Sequence, residues 1–173
     1  NTWTTSGPTG TPDQNLMKGY LDNFGGQSFN VTGLSPAFTD NGYGVYVYFG
    51  VDQIAQMGFT ANDGVNSDTR FGRQSGGNGA NYPLVGPNGY IVSTDPVNNF
   101  ATATPSNVIL LQGLTESNFT LTGVNGIGVS GSGNRARPNG FQIVSNTTAV
   151  PEPATAALVL LGAGGLMCRR RAA

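Results

Sequence analysis

The sequence predicts an all-β protein: an antiparallel β-sandwich, jelly-roll-like, followed by a short C-terminal hydrophobic helix. Three observations carry that reading. The 173-residue chain holds 27 glycines and 10 prolines among many Asn, Thr and Ser, residues that favour turns over helices. Short runs enriched in β-branched and aromatic residues recur between Gly/Asn/Asp/Pro clusters, as strands do. No helical crossovers separate those runs, which points to antiparallel pairing.

Taken in order, Thr11-Pro12-Asp13 offers a cap with Pro at a first helical position, and Leu16, Met17, Tyr20 and Leu21 share one helical face. Strand candidates follow at Phe29–Val31, Gly44–Phe49, Tyr90–Val92, Val108–Leu111, Phe119–Thr122, Ile127–Val129 and Phe141–Val144. Val45–Phe49 is apolar or aromatic throughout, the mark of a central strand covered on both faces. Phe119 and Leu121 alternate with Thr120 and Thr122, the period of a half-buried strand. Asn62–Ala80 has only Val65 and Phe71 as large apolar residues and reads as a long exposed loop.

Composition excludes several functions. Charged residues make up 10% of the chain and the net charge is −1, so no nucleic-acid partner is expected. There is no His, and Cys168 stands alone. Ser-His-Asp and Cys-His catalysis, His-ligated metals, zinc fingers and internal disulfides are thereby removed. Gly126-Ile-Gly128-Val-Ser-Gly131 spells a dinucleotide fingerprint, but Ser-Gly-Asn-Arg-Ala-Arg-Pro after it is no helix.

The C-terminus is the most informative stretch. Ala154–Cys168 carries no charge, follows Val150-Pro151-Glu152-Pro153 and precedes Arg169-Arg170-Arg171. As a helix it spans roughly 22 Å, short of the ~30 Å hydrocarbon core, yet it has no polar stripe. Snorkelling arginines and a thinned bilayer accommodate such a span, and the basic cluster stays cytoplasmic. This divides the chain into an exported β-sandwich domain over 1–144, a linker over 145–149 and a C-terminal signal over 150–173. Within that signal the membrane helix covers about 154–168 and the basic tail 169–171. The chain opens on Asn1, so a secretory signal peptide is expected upstream of it.

Val150-Pro-Glu-Pro153, the Gly-containing apolar run and the terminal arginines, in that order, resemble the PEP-CTERM sorting signal of Gram-negative bacteria. The resemblance implies export, an inner-membrane-anchored precursor, and recognition by an exosortase-type transpeptidase acting near Pro-Glu-Pro. It also implies a final place at the cell surface or in the extracellular matrix of a host that makes extracellular polysaccharide. A second resemblance rests on Leu16-Met-Lys-Gly-Tyr-Leu-Asp-Asn23, Val31-Thr-Gly-Leu34, Tyr43–Tyr48 and Arg135–Val144. These look like segments of small exported domains of planctomycete-like bacteria, which are similar to galactose-binding-like jelly rolls. It implies the fold more than any ligand.

For the body, extracellular polysaccharide is the expected partner, and Trp3, Arg135 and Arg137 are the candidate contacts. Trp3 offers a stacking ring and the arginines bidentate donors for an acidic sugar. Tyr43, Tyr46, Tyr48, Tyr82 and Tyr90 are further stacking candidates, buried strand tyrosines being the plainer alternative. Asp63, Asn66 and Asp68 group oxygen ligands as calcium loops do, but lack the regular spacing and the closing Glu. An Asx-rich turn is the favoured explanation, calcium the weaker one, and no cofactor is expected. The rival functions are a structural matrix component without a discrete ligand and a small glycan hydrolase. The latter would draw its carboxylates from Asp40, Asp52, Asp63, Asp68, Asp95 and Glu116. With no His and no Ser-x-x-Lys, the body is read as non-enzymatic.

Overall fold

The computed structural model describes residues 2–4, 12–21, 27–50, 55–74, 90–124 and 136–146. In chain order they form β1 (Thr2–Thr4), α1 (Pro12–Lys18), β2 (Gly19–Leu21), β3 (Ser28–Val31), α2 (Pro36–Thr39) and β4 (Tyr43–Phe49). There follow β5 (Ala55–Asn62), β6 (Ser67–Gln74), β7 (Val92–Ser93), β8 (Val108–Leu114), β9 (Phe119–Val124) and β10 (Pro138–Ser145). There are two four-stranded sheets, ordered β10-β4-β8-β7 and β3-β9-β5-β6, and a separate two-stranded β1-β2 ribbon. All named pairs are antiparallel except β7 on β8.

The two sheets share one core. Val45, Val47, Phe49, Ile109 and Leu111 from one sheet meet Met57, Phe59, Ala61, Phe119 and Leu121 from the other, all buried. Full burial of each such large side chain stabilises by about 1.5–3 kcal/mol. Rings bridge the gap at two places: Phe29 to Phe141 at 5.6 Å and Tyr43 to Phe119 at 5.7 Å between centroids. Gly72 lets the sheets close up at β6, since a Cβ there would stand 2.8 Å from the Phe49 ring.

The register of β10 slips between Pro138 and Gly140, and the extra residue, Asn139, is put to use. Its amide nitrogen donates to the Met17 and Gly19 carbonyls at 2.9 and 2.7 Å, and its oxygen accepts the Gly50 N–H. One bulge side chain therefore ties α1 and β2 to the β10–β4 pair. The open edge of β6 is covered by the 94–106 segment, with Phe71 N–H on Asp95 O and Arg73 N–H on Thr104 O. Covering an edge in this way removes a template for pairing with other chains.

Several sequence expectations need correction. Asn62–Ala80 is not one long loop: Asn62 ends β5, Ser67–Gln74 is β6, and Asp63–Asn66 is the tight turn between them. The helix near the start stops at Lys18, so Tyr20 and Leu21 lie in β2. β4 is flanked by β10 and β8, but it is fully covered on one face only, since Tyr46 and Tyr48 are half-buried. β10 runs to Ser145, one residue into the expected linker. The strand candidate at Ile127–Val129 lies outside the described residues, as does the C-terminal helix. Among the described residues no helix is long and apolar enough to cross a membrane.

Candidate functional site

Alternation places the outward side chains of the second sheet in two rungs. The register aligns Asn30, Thr120 and Asn62 across β3, β9 and β5, with Ser28, Thr122 and Thr60 beside them. Asn30, Thr60, Asn62, Thr120 and Thr122 line an open groove of ≈ 690 Å³, which also takes in Val31, Thr32, Asp63, Gly64, Asn118 and Phe119. Thr120 Oγ1 donates to Asn30 Oδ1 at 3.0 Å, and Asn62 Oδ1 accepts the Gly64 N–H at 2.7 Å. The sequence signal for this face was present in Phe119-Thr-Leu-Thr122. The same alternation that marks the core residues marks the outward threonines.

Asp63 stands at the lip of that groove. Its Oδ1 accepts the N–H groups of Val65 (2.9 Å) and Asn66 (2.5 Å). Its Oδ2 accepts Thr115 N–H at 2.8 Å, Glu116 N–H at 3.2 Å and the Asn66 side-chain amide at 3.3 Å. Burial works against the charge, but the hydrogen bonds from Asn66, Thr115 and Val65 outweigh it and hold the carboxyl well below the usual range. Asp68 pairs instead with Arg70 at 2.8 Å and accepts Gln112 N–H at 2.8 Å. The turn brings Asp63 and Asn66 together, while Asp68 looks across to β8. Among the described residues no group of three or more acidic or Cys side chains comes together.

On the opposite sheet, Tyr46 and Tyr48 alternate with the buried Val45 and Val47 and so lie on the outer face. The Tyr48 hydroxyl donates to Gln142 Oε1 at 3.0 Å, and the Tyr90 ring meets Tyr48 edge-on at 5.0 Å. Tyr43, by contrast, is wholly buried and donates to the Glu116 carbonyl at 2.9 Å.

Arg137 is 2% exposed, its guanidinium carbon 5.9 Å from the Tyr20 ring centroid. It packs over an aromatic face at the rim of the core and does not project into solvent. Trp3 pairs through its backbone with Tyr20 in the β1–β2 ribbon. Arg135, Tyr82, Asp52, Val150–Pro153 and Arg169–Arg171 lie outside the described residues.

A family model for the PEP-CTERM protein-sorting motif matches residues 149–171. That motif supports a C-terminally sorted, exported protein. The signal implies a membrane-anchored precursor that an exosortase processes. No curated protein and no solved structure matches the chain.

Proposed function

We propose that the β-rich body is a jelly roll that binds extracellular polysaccharide once sorting has delivered it to the cell surface or matrix. Strand order supports the fold. The sheets run β10-β4-β8-β7 and β3-β9-β5-β6, and the Asn139 side chain ties β2 beside β10 through the Gly19 carbonyl. With β2 counted next to β10 and the two-residue β7 set aside, two interleaved Greek keys give that order. The observation that carries the function is the row of half-buried tyrosines, Tyr46, Tyr48 and Tyr90, on the outside of the first sheet. A hydroxyl-bearing ring with one side exposed suits the apolar face of a sugar. Asp63 and Asp68 are committed to N–H groups and Arg70, which favours a binding protein over a hydrolase.

The test is retention of the full-length protein, in detergent micelles, on immobilised bacterial polysaccharides. Tyr46→Ala is expected to weaken retention about tenfold, the scale of a lost stacking contact, and to do so equally in calcium and in EDTA. Retention unchanged by Tyr46→Ala would remove the tyrosine row from the function.

A second reading, a structural matrix component without a discrete ligand, is favoured by one observation. Arg137, a candidate sugar contact, is buried against Tyr20. A folded protein that no polysaccharide retains would establish that reading. In either case, removal of 150–173 in the natural host is expected to leave a product that is neither anchored nor processed, as an immunoblot of cell fractions would report. A correctly sorted tail-less protein would sink the sorting assignment.

A further inference from the structure

We infer that the groove across β3, β9 and β5 is a second glycan site, made for an uncharged polysaccharide strand, and that one body therefore bridges two chains. The bridging rests on the polysaccharide reading above, while the groove stands on its own geometry.

Its volume of ≈ 690 Å³ lies within the usual range for small-ligand sites, about 300–1,000 Å³. Its chemistry is narrow. Three amides, Asn30, Asn62 and Asn118, line it, and each has its oxygen already committed within the protein. Asn30 accepts from Thr120, Asn62 from Gly64 N–H, and Asn118 from Gly33 N–H at 3.0 Å. With the oxygens fixed, each NH₂ is held as a donor, and among the described residues none of the three finds an acceptor in the protein. The hydroxyls of Thr32 and Thr122 likewise have no protein partner there. Oriented donors and hydroxyls on this outer face match a sugar, whose hydroxyl and ring oxygens accept.

Charge narrows the ligand further. Among the described residues no Lys or Arg lines the groove and its one ionisable group is Asp63, an anion already satisfied by five N–H donors. A uronic or sulfated polymer would meet a like charge and no counter-charge. A neutral polymer meets neither cost.

The bridging follows from placement. The groove lies on the outer face of one sheet and the tyrosine row on the outer face of the other. Face-packed sheets stand about 10 Å apart, so the two surfaces point away from each other and one straight strand cannot fill both. Each body then has two valences for matrix polymer.

The experiment uses full-length protein in detergent micelles with dextran, levan and galactomannan as neutral probes and alginate as the acidic one. Retention and polymer cross-linking by light scattering are both read. Thr122→Val and Asn62→Asp, each close to isosteric, are expected to weaken groove binding about fivefold or more per lost hydrogen bond and to abolish cross-linking. Both are expected to leave retention through Tyr46 in place, with an unaltered melting temperature as the check on folding. Tyr46→Ala is expected to abolish cross-linking too, and to leave a residual retention that Thr122→Val then removes.

Cross-linking that survives both groove variants would overturn the inference while leaving the polysaccharide reading intact. So would retention abolished by Tyr46→Ala alone, or groove binding of alginate as strong as that of the neutral probes. No retention of any probe by the folded protein would overturn both.

Discussion

Asp63 and Tyr43 contribute to how this protein responds to pH, and they do so from opposite ends of the scale. Asp63 is ionised in the fold at pH values where an ordinary Asp is protonated, because its hydrogen bonds to the Asn66, Thr115 and Val65 N–H groups win over burial. Its contribution is present above the unfolded value, about 3.9, and drains away as pH falls through the folded one. Melting temperatures are therefore expected to drop below about pH 4 in the parent and to vary less with acid in Asp63→Asn. At neutral pH, Asp63→Ala is expected to cost about 2 kcal/mol by chemical denaturation, discounted because the turn is partly solvated. Tyr43 is pushed up to about 12 by burial first, then by the charges of Asp63 and Glu116. Its stabilisation is complete below about pH 10 and is lost as pH rises through the folded value. Tyr43→Phe forfeits the hydrogen bond to the Glu116 carbonyl, about 1 kcal/mol, and is expected to flatten the alkaline limb of the melting profile.

At the scale of elements, the β5–β6 hairpin separates what could be read from the sequence from what could not. β9 was legible because Phe119 and Leu121 alternate with threonines, and β4 because Val45–Phe49 is apolar throughout. β6 was not, because Ser-Asp-Thr-Arg-Phe-Gly-Arg-Gln carries one large apolar residue. What stabilises it is invisible in a single strand: Asp68 and Arg70 reach β8 and the Thr94 carbonyl, and Thr60 and Thr69 share a hydrogen bond of 2.7 Å. β5 did leave a signal, since Met57, Phe59 and Ala61 alternate with Gln56, Gly58 and Thr60. The Asx cluster that resembles a calcium loop is the hairpin's turn, with Gly64 at φ 90°, where a side chain is strained. Packing across the hairpin gives a sharp test. A Cβ on Gly58 would lie 2.6 Å from the Phe71 ring, so Gly58→Ala is expected to cost about 1–3 kcal/mol in denaturant titrations. Gly33→Ala makes a useful comparison, because its Cβ meets nothing within 4 Å and only its φ of 77° is strained.

For the whole molecule, the sequence said most about the end and least about the binding faces. The sorting motif at 149–171 is a linear pattern, legible residue by residue. The groove is assembled from β3, β5 and β9, and only the register of two strand pairs brings Asn30, Asn62 and Thr122 onto one surface. Arg137 illustrates the reverse error: a charge in a Gly-rich stretch reads as surface, yet Tyr20, distant in sequence, covers it. The bonds at the end of β10 have a mechanical consequence. Asn146 N–H is bonded to the Gly42 carbonyl at 2.9 Å, and the Ser145 hydroxyl grips the Ala37 carbonyl of α2 at 2.6 Å. Any tug transmitted along the C-terminal tether arrives at this knot. From there β10 passes the pull to β4, a strand whose Val45, Val47 and Phe49 are wholly buried. Tension on an anchored precursor is thus taken up by the middle of the fold, with α2 serving as a collar at the point of attachment.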